Sequence, residues 1–151
     1  MPRVSRTRVI AAPRERVWDL VSDPHHLPRW WPRASRVEDV KGDPGSKRAR
    51  WTVVLKTAKG SGVRADYRCI SAAAGERYVW EQELAGTPFA RIVRSSETGV
   101  HLQGKADDTS VTVYTRERLR GLSRLGSPMM RGAVRKRLDE ALDGIERALV
   151  G

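Results

Sequence analysis

The chain has 151 residues, with 29 Lys or Arg against 18 Asp or Glu, a formal net charge of +11 and one cysteine. That length suits a single domain over 1–151, one that buries roughly 68–70% of the surface its unfolded chain exposes. A lone cysteine excludes an internal disulfide and fits a reducing compartment, and no apolar run approaches the roughly 20 residues of a membrane-spanning helix.

The opening segment, MPRVSRTRV, lacks the apolar core of a signal peptide, so the reading expects a chain that starts here and stays in the cytoplasm. RTRVIAAP then reads as the end of a strand. Pro13 has the fixed backbone angle of a first helical residue, and Val17, Leu20 and Val21 follow at helical spacing. Asp23 is placed to cap a second short helix with Pro24 in its first turn, while Pro28 and Pro32 forbid a long continuation. Trp30 and Trp31 close this segment. Being adjacent, they cannot both face inward from a regular helix, so one is expected to anchor the helices and the other to sit at a cavity mouth.

Turn signals recur after that point, at Gly42–Gly45, Lys59–Gly62, Ala74-Gly75, Gly86–Pro88 and Ala106–Asp108. Between them the period is two. Trp51, Val53 and Leu55 share one face; Val63, Ala65, Tyr67 and Cys69 share the next; Tyr78, Trp80, Gln82 and Leu84 share the third. Arg64, Asp66, Arg68, Arg77, Glu81 and Glu83 fall on the opposite faces, the pattern of an antiparallel meander with one wet side and cross-strand ion pairs. From Ser127, a cap candidate before Pro128, the period becomes helical through Met130, Val134, Leu138, Ala141, Leu142, Ile145 and Leu149. A helix of about 22 residues extends roughly 33 Å, enough to cross a curved sheet. Gly132 and Gly144 are expected to weaken it, with an entrance near Gly126–Gly132, and Lys136–Glu140 and Asp143–Arg147 to pair on its exposed side.

The strand RTRVIAAP, the segment VWDLVSDPHHLPRWWP and the long C-terminal amphipathic helix together resemble the START-related SRPBCC, or helix-grip, superfamily, in particular its bacterial polyketide cyclase/dehydrase-like branch. The resemblance covers about Val4 to Leu149. It implies an α+β helix-grip fold, with a curved antiparallel sheet of six to seven strands wrapped around the C-terminal helix and two short helices after the first strand. It also implies a cavity for a small hydrophobic molecule. Trp30, Trp51, Tyr67, Tyr78, Trp80, Gln82, Met130 and Val134 are the candidate ligand-binding residues, because amphipathic aromatics with a few polar groups are what small-ligand pockets present. The same aromatics equally serve to fill a core.

Other chemistry finds little support in these residues. His25 and His26 splay apart and have no acid or thiol at metal-ligand spacing; His101 is isolated on a strand face; Cys69 reads as a small buried hydrophobe. GDPGSK at 42–47 lacks the spacing of a phosphate loop and precedes a strand. The strand acids noted above are on the wet faces, so no carboxylate pair is assigned to acid–base work, and neither a cofactor nor a metal is expected.

Three functions follow. The first is a binding protein or carrier for an aromatic, polyketide-like or lipid-like molecule. The second is a polyketide aromatase/cyclase or dehydratase working in the same cavity, with no catalytic residue identified. The third is an interaction module using the surface from Arg116 to Arg137, which holds eight Lys or Arg and only Glu117 as an acid. An anionic carrier or acidic protein suits that surface, whereas nucleic acid is disfavoured for want of aromatic interleaving. The chain is expected to be a monomer or homodimer.

Overall fold

A computed structural model describes residues 3–57, 60, 62–87, 90, 93–119 and 128–150, with backbone only for Lys105, Leu119, Pro128, Met129 and Met130. Seven strands, β1 (Val4–Ile10), β2 (Ala34–Lys41), β3 (Arg50–Lys56), β4 (Gly62–Ala73), β5 (Arg77–Gln82), β6 (Val93–Lys105) and β7 (Asp108–Leu119), form one antiparallel sheet in the order β1-β7-β6-β5-β4-β3-β2. Helices α1 (Arg14–Val21) and α2 (Leu27–Trp30) fill the β1–β2 connection, and α3 (Pro128–Leu149) closes the chain. This is the helix-grip arrangement. Sequential hairpins build β2 to β7, and β1 joins the far edge by pairing with β7, Val4 opposite Thr115 through Ile10 opposite Thr109. Irregular register at Cys69/Ser71 and Val93/Ser95 interrupts the ladders, and such bulges bend strands and help a sheet curl around a helix.

The helical connection forms for the local reasons written in its residues, displaced by one position at its start. Pro13 is the N-cap, with ψ 152, and α1 begins at Arg14. Asp23 caps the Pro24–His26 turn by accepting the His25 backbone N–H at 3.0 Å. Val17, Leu20 and Val21 are buried against the sheet, and Trp30 is 1% exposed. Helix α3 divides along its length. Leu138, Ala141, Leu142 and Ile145 are fully buried against Ile10, Val100, Val111 and Val113 of the core, each large side chain contributing about 1.5–3 kcal/mol of transfer free energy. Toward its N-terminus the helix carries Ala133, Lys136, Arg137 and Glu140, and there it roofs a cavity instead.

Three expectations about α3 change, and the one about Gly132 does not. Gly144 is a contact rather than a weak point: a Cβ there would lie 2.7 Å from Trp30 Cα and 2.9 Å from its carbonyl carbon, so α2 packs directly on the glycine. Gly132 has nothing within 4 Å. Asp143 pairs with Arg8 at 2.7 Å, not with Arg147, because β1 crosses beneath the helix and its inward arginines reach the helical acids; Arg6 meets Asp139 in the same way at 2.9 Å. Among the described residues Lys136 and Glu140 form no ion pair, both lining the cavity. Ser127 and Gly126 lie outside the described residues. On the wet face, the expected cross-strand pairs include Arg68–Glu81 and Arg64–Glu38. No described helix is long and apolar enough to cross a membrane.

Candidate functional site

The space between the sheet and the first half of α3 is a cavity of about 620 Å³. Its origin is visible in the β6–β7 register. On the inner face, Leu102 opposes Val111 and Val100 opposes Val113, all at most 4% exposed; one step further, Thr98 opposes Thr115, and then Ser96 and Glu117 follow on the same side. Core therefore gives way to hydroxyls and a carboxylate within one pair of residues per strand, and Ser96, Thr98, Thr115 and Glu117 line the cavity. Thr98 and Thr115 are buried, their hydroxyl oxygens 3.5 Å apart.

The opposite wall is apolar and aromatic. Leu55, Val63, Tyr67 and Trp80 come from β3, β4 and β5, and Trp31 comes from the end of α2. Trp31 and Trp80 meet edge to face at 5.9 Å, and Trp30 packs against both, at 5.6 and 6.1 Å. Trp30 anchors the helices to the sheet and Trp31 faces the cavity, which is the division expected of adjacent residues. Such aromatic pairs contribute about 0.5–1.5 kcal/mol each beyond their buried area.

Charges gather at the roof and rim. Arg33, Lys56, Lys136 and Arg137 stand with Glu117 and Glu140, four cations to two carboxylates. Arg137 Nη2 lies 3.9 Å from Glu117 Oε1, and its Nε is buried with no hydrogen-bond partner. Burial raises Tyr67 to a pKa of about 12, with Arg137 opposing that rise and Glu117 adding to it. The phenol is thus a persistent hydrogen-bond donor inside the same field.

Of the eight candidates from the sequence, Tyr67, Trp80 and Gln82 line the cavity. Trp30, Trp51 and Tyr78 are 1–2% exposed and form the aromatic core behind that wall, with Trp51 stacked between Tyr67 and Tyr78 at 6.3 and 6.2 Å. Val134 packs on the core rather than on the cavity, because the roof positions of the helix are 133, 136, 137 and 140. The Met130 side chain lies outside the described residues. Alternation alone could not separate core from lining, since both occupy the inward face. Trp31 was legible from its neighbour Trp30, and the polar steps at Ser96, Thr98 and Thr115 were legible as interruptions of an apolar inward row. The strand acids noted in the sequence do not include Glu117, whose odd-numbered position on β7 places it inward with Val113 and Thr115.

The other polar residues have local uses. His25 Nδ1 lies 2.8 Å from Asp23 Oδ1, and His26 Nδ1 is 3.1 Å from the Asp19 carbonyl oxygen. His101 packs edge to face on Tyr114 on the outer side of the sheet, and burial with nearby Arg3 and Arg77 lowers its pKa. Cys69 is buried, which pushes its thiol pKa up. Among the described residues no group of three His, Cys, Asp or Glu is arranged to hold a metal. The described cations of the basic segment from Arg116 to Arg137 lie on different faces, Arg120 and Arg124 being outside the described residues. Arg116 and Arg118 are exposed on the outer side of β7, Lys136 and Arg137 line the cavity, and Arg131 and Arg135 face Arg3 and, on β1, Arg6.

No curated protein matches the chain. Among solved structures, a START superfamily protein from Mycobacterium smegmatis is similar at a TM-score of 0.77 and 15% identity, covering 97% of this chain and 96% of its own. The di-domain ARO/CYC BexL from the BE-7585A biosynthetic pathway is similar at 0.77 and 20% identity over 97% of this chain, which spans about half (46%) of that longer protein. Major latex-like protein 151 from Panax ginseng is similar at 0.77 and 16% identity, with 99% and 98% coverage. These likenesses establish the fold. The family model described as "Polyketide cyclase / dehydrase and lipid transport" matches residues 1–150, and the chain belongs to that family.

Proposed function

We propose that the protein binds and carries a small, largely apolar molecule, aromatic, polyketide-like or lipid-like, in the cavity beneath α3, and does so in the cytoplasm. The observation that carries this reading is the two-sided cavity itself: Trp31, Trp80, Tyr67, Leu55 and Val63 on one wall and hydroxyls on the other. A guest that buries about 250 Å² of apolar surface gains roughly 6 kcal/mol from transfer, before the cost of immobilisation, and the polar wall orients it. The family's description and the START superfamily neighbour support a ligand-binding role. The test is native mass spectrometry of protein purified from its own host, followed by denaturing extraction. One apolar molecule per chain is the expected result; a chain that is always empty and that takes up no apolar probe refutes the reading.

A second reading, a polyketide cyclase or dehydratase, is favoured by the meeting of Glu117, Tyr67 and Arg137 at one cavity. In that role the Glu117 carboxylate removes a proton next to a ketone, and Tyr67 and Arg137 hold the resulting enolate oxygen. The ARO/CYC di-domain neighbour supports it. It requires turnover of a linear polyketone that disappears in Glu117→Gln while the fold persists.

A further inference from the structure

Resting on the binding role proposed above, the cavity carries more information about its guest than that it is apolar. The polar side sets groups able to donate beside the acceptors Glu117 and Glu140. Ser96, Thr98 and Thr115 supply hydroxyls, Tyr67 supplies a phenol, and Arg137 supplies a guanidinium. Glu117 reaches that guanidinium only at Nη2, at 3.9 Å, beyond hydrogen-bond distance. Arg33, Lys56 and Lys136 have no carboxylate within 4 Å among the described residues, so the positive charge of the rim is only partly neutralised.

We infer that the ligand carries an anionic oxygen, a carboxylate, sulfonate, phenolate or enolate, on one edge of an apolar and preferably aromatic body, and that Arg137 with the Ser96, Thr98 and Thr115 hydroxyls receives that oxygen. The aromatic body lies against Trp31 and Trp80 on the opposite wall. Charge-assisted hydrogen bonds are about twice as strong as neutral ones, so Arg137 discriminates an anion from its uncharged parent where the hydroxyls alone do not. Glu117 works against this. Sitting beside the guanidinium, it competes with the ligand for the same charge and sets an upper limit on anion affinity.

A matched probe pair tests the inference: anilinonaphthalenesulfonate and its uncharged parent phenylnaphthylamine, both followed by fluorescence on the full chain. Wild type is expected to bind the sulfonate roughly tenfold more tightly than the parent. Arg137→Gln removes that preference, lowering sulfonate affinity about tenfold more than it lowers the parent's. Glu117→Gln, which retains Arg137, raises sulfonate affinity severalfold, so the inference does not depend on a variant that loses a cation. Arg131→Gln, an exposed charge outside the cavity, leaves the preference intact. A naphthoate and a naphtholate, compared at a pH where both are ionised, separate carboxylate from phenolate recognition. Equal binding of sulfonate and parent, or a preference that survives Arg137→Gln or falls as far in Arg131→Gln, overturns the inference while the binding role stands. Failure of the uncharged parent to bind at all overturns the binding role and the inference together.

Discussion

Gly132 and Gly144 lie on the same helix, and replacing each with alanine is expected to change stability in opposite directions. In Gly144→Ala the new methyl would lie 2.7 Å from Trp30 Cα and 2.9 Å from its carbonyl carbon, closer still to its oxygen. Carbon contacts settle at about 3.5–4.0 Å, so α2 and α3 have to separate by close to 1 Å. The atoms in the way are backbone, which no rotamer change can move aside. Overpacking of this kind costs about 3 kcal/mol, and the better helix propensity of alanine returns about 1, leaving a net loss of about 2 kcal/mol. At Gly132 nothing lies within 4 Å, so only the propensity gain remains, about 1 kcal/mol. For a domain of this size these values correspond to a melting temperature lowered by about 4–8 °C in one variant and raised by about 2–4 °C in the other. Urea denaturation monitored by tryptophan fluorescence and by circular dichroism reads both, as midpoint shifts at constant slope. Because Trp30 carries Trp31 into the cavity, Gly144→Ala should also weaken apolar-probe binding from a position that does not line the cavity. A Gly144→Ala protein at least as stable as wild type would show that the close approach of α2 to α3 is wrong.

Three further outcomes follow from burial and charge. Trp80→Ala, which empties a site 4% exposed, is expected to cost about 3–5 kcal/mol in urea denaturation, whereas Trp31→Ala, partly exposed, costs about 1 kcal/mol yet reduces phenylnaphthylamine affinity about tenfold; equal stability losses would contradict the assignment of Trp31 to the wall. Cys69, buried and with its thiol pKa raised, should resist alkylation in the native protein at neutral pH and react stoichiometrically in denaturant, as mass spectrometry of the adduct would report. All three tyrosines are raised from 10.0, Tyr67 and Tyr114 to about 12 and Tyr78 further, in each case chiefly by burial. The native state therefore keeps protons that the unfolded chain releases, so stability is intact below pH 10 and falls as the pH rises toward 12 and beyond; phenolate absorbance should appear with unfolding rather than ahead of it.

Much of this fold is readable in short-range chemistry. Asp23 before Pro24 specifies a cap that the structure forms with the His25 amide, and inward alternation through Trp51, Val53, Ala65, Cys69, Tyr78 and Trp80 is the core face of three consecutive strands. What alternation does not encode is depth. Trp51 and Trp80 occupy equivalent inward positions, yet the stacking of Trp51 between Tyr67 and Tyr78 removes it from the cavity, while Trp80 contacts both sides. Depth depends on which residues face each other across the sheet and under α3, and those pairings are set by register and helix placement, not by local sequence. Gly144 shows the same limit. Helix propensity marks it as a weak link, and only the approach of Trp30 from over a hundred residues away explains why no larger residue fits.

The cavity also assigns a physical reason to a feature that composition leaves ambiguous. A net charge of +11 invites a polyanion partner, and counting along the sequence concentrates the excess between Arg116 and Arg137. The fold separates the described ones among those charges onto different faces. Strand alternation sends Arg116 and Arg118 outward and Glu117 inward, and helical periodicity turns Lys136 and Arg137 toward the cavity and Arg135 toward β1. A polyanion needs a continuous track of cations, whereas a single anionic group on a small apolar body needs one or two cations at the edge of an apolar wall. The arrangement at Arg137, Lys136 and the Trp31–Trp80 pair meets the second requirement. The salt dependence of binding distinguishes the two: a polyanion loses affinity steeply between low and physiological salt, while a ligand held by one charge and two indole faces loses little.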